Sequence, residues 1–349
     1  MDDVADAYGG KIYAGYGDAG LCFGDCAGNS LYVLDPQAGT WTQLASAADG
    51  REVPGHGIID GKLYIAGGWA GDGSTDPKLE IYDIADNTWS TGASEPAPYA
   101  GAGSAVLDGR LYLVGGCGAT TCGTTDASAY DPATGAWSKI APYPEPIAWT
   151  SCAGIDGKLY CAGGTNDSGE NVDHTYVYDP AAGAWSALPD MPVPLWGAAY
   201  AGANGMLLIS SGVTTGGTLT NQSLAYNPQA GTWSALPNAN TATYRGAGAL
   251  GFYKLGGSTG GIAPSTTVEY LPGYAVDPSA KVPWLGESAT KLTLWPHQRV
   301  TIAVTLDTSA SQIEQPGTYG AELVFGSSTP YSIAPVQVTL RVKPPEHGW

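Results

Sequence analysis

The hydrophobic positions of this chain fall into short runs of four or five residues bounded by Gly, Asp, Asn or Pro. Leu63-Tyr64-Ile65-Ala66 ends in Gly67-Gly68, Leu111-Tyr112-Leu113-Val114 in Gly115-Gly116, and Leu159 to Ala162 in Gly163-Gly164. Runs this short between turn residues predict buried strands. An Asp-Gly or Asn-Gly pair precedes each run, at Asp60-Gly61, Asp108-Gly109, Asp156-Gly157 and Asn204-Gly205. These pairs favour the two-residue type I′ turn, so each predicts a tight antiparallel hairpin. A variable loop follows, then a third strand ending in Tyr-Asp-Pro, a turn, and a fourth strand opened by Trp.

The unit repeats along the chain. Trp41, Trp89, Trp137, Trp185 and Trp233 recur every 48 residues, and Tyr82, Tyr130, Tyr178 and Tyr226 keep the same step. A fixed period of this length marks a repeat architecture, and four antiparallel strands per unit make each one a propeller blade. The strict period of the tryptophans gives them a packing role between blades. The Gly-Gly doublet, the Tyr fourteen residues after it and the Trp seven later resemble Kelch repeats. That resemblance covers roughly residues 1–272 and implies a propeller fold without implying one function.

Six units can be counted, so the expected fold is all-β: a six-bladed Kelch-type β-propeller over 1–272. The end units depart from the pattern. In the first, Tyr16-Gly17 replaces the doublet and Leu34 the Tyr; in the sixth, Asp277 occupies the place of Trp. The outer strand of blade six therefore either begins near Tyr274 or is missing.

From about Ala275 the pattern changes to strict alternation: Val300, Ile302, Val304 and Leu306, then Tyr319, Ala321, Leu323 and Phe325, then Val336, Val338, Leu340 and Val342. Period two over three runs predicts a β-sandwich at 275–343, with 344–349 a linker or tail. Pro283-Trp284-Leu285 and Gln315-Pro316-Gly317-Thr318-Tyr319 resemble the immunoglobulin-like modules of multidomain secreted bacterial proteins, including some subtilisin-like proteases. This second resemblance implies a spacer role and partner domains in a larger parent protein.

Composition narrows the function. A formal charge of −18 with only 14 Lys and Arg argues against a nucleic-acid partner, which needs clustered basic side chains. No apolar run approaches the roughly 20 residues of a membrane span, so no membrane insertion is expected. Met1-Asp2-Asp3 lacks the basic and apolar regions of an export signal, so a mature or excised segment is expected.

The six cysteines form three local pairs: Cys22 with Cys26, Cys117 with Cys122, and Cys152 with Cys161. For the last, the turn at Asp156-Gly157 makes Ile155 and Lys158 a hydrogen-bonded pair. Counting outward places Cys152 opposite Cys161 at a Cα separation of about 4.5 Å, within disulfide range. The other pairs would staple loops of blades one and three. Three disulfides imply an extracellular, secreted or cell-surface location.

The loops between strands two and three, and between strand four and the next blade, vary most and share one face, where ligand-binding residues are sought. Arg51, Glu52, Tyr99, Trp149, Trp196, Tyr244 and Arg245 precede the innermost strands at nearly equivalent positions and are expected to ring the channel mouth, with Trp69 as a further wall. Aromatic and basic groups in this arrangement suit a polysaccharide or protein ligand. The leading expectation is a non-catalytic binding or adhesion module. No catalytic residue and no required cofactor are assigned, although calcium could be held by Asp72 and Asp76 in one loop or Asp167, Glu170 and Asp173 in another.

Two enzyme readings stand as alternatives. Some Kelch propellers act as sugar isomerases or mutarotases, for which Arg51, Glu52, Arg245 and His56 are candidate parts. A propeller followed by an immunoglobulin-like domain also resembles galactose-oxidase-like copper oxidases. Those need two His, two Tyr and a Cys joined to one of the Tyr, whereas here only His56, His174, His297 and His347 occur and each Cys has a local partner. Asp167-Ser168-Gly169 resembles the aspartate motif of subtilisin-like proteases but lies inside a repeat loop without accompanying Ser and His elements.

Overall fold

The computed structural model describes residues 3–18, 27–36, 38–203, 205–249, 252–261, 263–271, 284–309, 317–323, 325 and 336–342. The strands of the repeat region form six antiparallel sheets around one axis. Blade one comprises Val4–Tyr8, Lys11–Gly15, Leu31–Asp35 and Thr40–Gln43. Blade two comprises Gly55–Ile59, Lys62–Ala66, Leu79–Asp83 and Thr88–Thr91. Blade three runs from Gly103–Leu107 through Arg110–Val114 and Ala127–Asp131 to Ala136–Lys139, and blade four from Ser151–Ile155 through Lys158–Ala162 and Thr175–Asp179 to Ala184–Leu188. Blade five holds Ala199–Ala203, Met206–Ser210, Ser223–Asn227 and Thr232–Leu236, with a small hairpin, Val213–Thr214 and Thr218–Leu219, in its loop. Blade six shows Ala247–Ala249, Tyr253–Leu255 and Val268–Tyr270.

The turn chemistry is as expected. Asp60 and Gly61 take φ of 49° and 72°, Asp108 and Gly109 49° and 72°, and Asp156 and Gly157 48° and 76°. Two successive left-handed residues make the type I′ turn whose twist matches the strands. This turn fixes the register that sets Cys152 opposite Cys161. Their disulfide spans a Cα separation of 4.2 Å, and Cys117–Cys122 is also bonded. The proposed Cys22–Cys26 bond lies outside the described residues.

The periodic tryptophans tie blade to blade. Trp89, Trp137, Trp185 and Trp233 each stand directly opposite the repeat tyrosine of their own blade, as with Tyr82 and Trp89, whose ring centroids are 5.0 Å apart, whereas Trp41 faces Leu34. The indole N–H then donates to a carbonyl just past the outer strand of the preceding blade: Trp89 to Ala45 at 2.7 Å, Trp137 to Ala93 at 2.8 Å, Trp185 to Ala141 at 2.9 Å and Trp233 to Pro189 at 3.0 Å. Aromatic pairs of this kind add about 0.5–1.5 kcal/mol beyond their buried area.

The ring closes between blades six and one through a shared core of Ala5, Ile12, Leu34, Ala247, Ala249 and Leu255. The place where the sixth outer strand was sought, from Tyr274 and including Asp277, lies outside the described residues. Beyond the ring, Leu285–Glu287 pairs with Val304–Leu306 and Gly317–Leu323 with Val336–Val342, both antiparallel.

Candidate ligand-binding site

The chain entering each blade passes three successive positions, each repeating at 48 residues, and they have different surroundings. The first comprises Arg51, Tyr99, Ile147, Leu195 and Thr243, of which Arg51, Ile147, Leu195 and Thr243 are buried. The second comprises Glu52, Ala100, Ala148, Trp196 and Tyr244, which bridge by backbone to Trp69, Cys117, Thr165, Val213 and Ser258 of the adjacent loops. The third comprises Val53, Gly101, Trp149, Gly197 and Arg245, all left-handed, with φ of 44°, 64°, 60°, 62° and 58°. All five third-position residues line the central channel.

Amide hydrogen bonds link third positions of neighbouring blades. Gly101 donates to the Val53 carbonyl at 3.0 Å, Trp149 to Gly101 at 2.7 Å, and Arg245 to Gly197 at 2.7 Å. A left-handed backbone is unfavourable for Trp and Arg and is retained only where surroundings over-determine it. Here it lays each large side chain over the glycine of the preceding blade. A Cβ on Gly101 would come within 3.1 Å of the Trp149 indole, and one on Gly197 within 3.6 Å of the Arg245 side chain.

Trp149 is the centre of the mouth. Its ring centroid lies 6.0 Å from that of Trp69 in blade two and 5.7 Å from that of Trp196, which in turn lies 5.6 Å from Tyr244. The Arg245 guanidinium sits 5.3 Å from the Trp149 ring, a cation–π distance. All four aromatic residues are half-buried, so each keeps some surface toward solvent. Glu52 bridges by backbone to Trp69; burial, reinforced by Asp18, raises its carboxyl above the ordinary range, while Arg245 opposes the rise.

Two of the expected mouth residues lie elsewhere. Arg51 is 0% exposed and packs between blades one and two, 2.8 Å from Glu80 and 3.3 Å from Asp76, while donating to the Lys78 carbonyl at 2.8 Å. It occupies the position filled by Ile147 and Leu195, which explains its burial. Tyr99 shares that position and turns toward blade three, its hydroxyl donating to Asp126 at 2.6 Å. Burial, and then the Asp126 hydrogen bond, raise the Tyr99 phenol.

Below the mouth the channel holds a half-open cavity of about 280 Å³ walled largely by Gly and Ala of the innermost strands. Four polar side chains form a band within it. His56 Nδ1 lies 2.6 Å from Asp6 Oδ2, joining blades two and one. Tyr200 reaches from blade five past blade four, where its hydroxyl accepts from the Ser104 amide of blade three at 3.2 Å. Burial raises the Tyr200 phenol, and the Asp6 carboxylate adds to the rise. Asp6, Ser104 and Tyr200 were missed as site residues. His56, Ser104, Cys152 and Tyr200 are 48 residues apart, large or polar groups in otherwise Gly- and Ala-rich strands, but Asp6 lies off that step and the pairings do not follow from it.

Residues 8–148 match the family model for the KLHDC2/KLHL20/DRC7 Kelch-repeats domain, and residues 150–192 match the Kelch motif. The repeats are Kelch repeats. The solved structure of YjhT is similar to this Kelch propeller at 18% identity, with a TM-score of 0.67 over 76% of this chain and 93% of that one. At that identity the likeness speaks for the fold. The comparison with curated proteins returns no match.

The remaining candidates of the Kelch loops are tied into local structure. Asp72 accepts from the Ser74 amide and hydroxyl, and Asp76 from the Lys78 amide while contacting Arg51. Asn166, not Asp167, organises its loop, accepting from the amides of Ser168 and Glu170 and donating to the Glu170 carboxylate at 3.1 Å. Among the described residues no three His, Cys, Asp or Glu gather as a metal-ligand set, so calcium at Asp72 and Asp76, or at Asp167, Glu170 and Asp173, would draw on backbone and amide oxygens as well. Most of the residues of the copper alternative have separate local partners. His56 pairs with Asp6, His174 with Glu145 at 2.7 Å, His297 is exposed, and the described cysteines are in disulfides. His347 lies outside the described residues.

Proposed function

We propose that this Kelch propeller is a carbohydrate-binding module, the ligand seating on the mouth formed by Trp69, Trp149, Trp196, Tyr244 and Arg245. The observation that carries the reading is the placement of Trp149 over the channel, on a strained backbone, between Trp69 and Trp196. Amphipathic aromatic rings beside hydrogen-bonding groups suit the apolar faces and hydroxyl rims of sugar rings. A cavity walled by small residues with a polar band favours a sugar over a protein side of larger area. The two disulfides support an oxidising, extracellular setting. The alternating strands after the propeller support an immunoglobulin-like spacer within a larger secreted protein.

An array carrying both glycans and peptides tests this. Binding to glycans, lost on Trp149 substitution, is the expected result; binding to peptides alone would replace the reading with protein adhesion.

The contact between His56 and Asp6 inside the channel favours a second reading, acid–base chemistry on the bound sugar. With Nδ1 donating to Asp6, a neutral His56 retains its acceptor lone pair on Nε2. Isomerase- or mutarotase-like turnover that disappears in His56→Ala would establish it.

A further inference from the structure

The cavity beneath the mouth bears on which part of a glycan is recognised, an inference that rests on the carbohydrate reading above. Its volume of about 280 Å³ falls just below that of most small-molecule sites, roughly 300–1,000 Å³. That is space for one small unit and not for a passing chain. Two side-chain pairs line opposite arcs of the channel. Tyr200 spans blade five to blade three through Ser104, and His56 spans blade two to blade one through Asp6. Above, Trp149 and Arg245 project over the opening from blades four and six.

A polymer can meet such a site in two ways. Lying across the mouth, it would leave the polar band unused. Entering end-on, its last unit would place ring hydroxyls among His56, Asp6, Ser104 and Tyr200 while the next units stack against the aromatic arc. The band supplies both donors and acceptors at short reach, the set that hydroxyl groups require. Asp3 and Asp6 both line the cavity, so an acidic unit would meet carboxylates of like charge.

We propose that the channel is a chain-end site: it takes the terminal unit of an uncharged glycan, with Trp149 and Arg245 framing the entrance and the His56–Asp6 and Tyr200–Ser104 pairs contacting the unit. Internal units are not bound.

The test uses the full chain and neutral β-1,4-linked glucan, mannan, xylan and galactan, each as oligosaccharides of one to six units and as long polymer, followed by isothermal titration. The expected result is one protein bound per chain end at every length, affinity that levels off within a few units, and weaker binding by His56→Ala of at least tenfold for both the shortest bound oligosaccharide and the polymer. Stoichiometry that rises in proportion to polymer length overturns the chain-end site while leaving carbohydrate binding intact. No binding to any of the four series overturns the chain-end site, and the glycan and peptide array then decides the carbohydrate reading separately. The wild-type stoichiometry decides between the two modes even if His56→Ala fails to fold.

Discussion

The indole of Trp149 lies against Gly101 of the neighbouring blade, close enough that a Cβ on Gly101 would stand 3.1 Å from the ring. The Trp149 amide also donates to the Gly101 carbonyl at 2.7 Å. Both residues hold the same left-handed backbone, one at no steric cost and one at a cost of order 1–3 kcal/mol. Glycine is therefore acceptable to the fold at this position, and the tryptophan serves the mouth. Gly101→Ala is expected to push the indole from its seat, lowering the thermal midpoint and weakening glycan binding together. Differential scanning calorimetry and titration on one sample measure both.

Arg51 should behave in the opposite way. Its guanidinium neutralises Glu80 and Asp76 in a buried layer between blades one and two. Removing one partner of a buried ion pair typically costs about 3–5 kcal/mol because the other charge is stranded. Arg51→Ala should lower the urea midpoint strongly while the folded fraction binds glycan with unchanged affinity. A selective loss of affinity would return Arg51 to the binding surface.

Glu95 gives the propeller a pH dependence. It is 5% exposed, Oε2 has no hydrogen-bond partner, and burial pushes its carboxyl up to about 8. The folded state thus keeps a proton that the unfolded chain releases near 4.5. Stability must fall as pH rises from about 4.5 to about 8 and then level off from this group. The same repeat position holds Tyr143 and Met191, both buried. Glu95→Met should raise the thermal midpoint more at pH 9 than at pH 5, and an equal gain at both would refute a protonated Glu95.

The bond between Cys152 and Cys161 closes a short hairpin of the innermost wall. Chain-entropy arguments assign such a loop about 2–3 kcal/mol. The double change Cys152→Ala with Cys161→Ala should lower unfolding free energy by that amount without altering the turn at Asp156-Gly157. Detection of free thiol at either residue in native protein would contradict the bond.

Much of the propeller was legible because the features that build it are periodic. Asp-Gly turns, Gly-Gly doublets and the Tyr–Trp pairs act locally, and a register counted outward from Asp156-Gly157 found the Cys152–Cys161 pair. The mouth was harder to read. Arg51, Trp149 and Trp196 sit within two residues of equivalence, yet they occupy three positions with different surroundings, and only the whole 48-residue step separates them. Treating Arg51 and Arg245 as alike overlooked that Arg51 aligns with Ile147 and Leu195 while Arg245 aligns with Gly101 and Gly197. The polar band was hidden for another reason. His56 meets Asp6, and Tyr200 meets Ser104, only once the ring brings distant blades together.

Trp149 is expected to serve ligand binding and not the fold. Titrating the best-bound neutral oligosaccharide into wild-type and Trp149→Gly protein tests it most directly. The expected result is at least a tenfold loss of affinity, about 1.4 kcal/mol or more, with unfolding free energy changed by no more than about 1 kcal/mol. Unchanged affinity in a folded Trp149→Gly protein would contradict it.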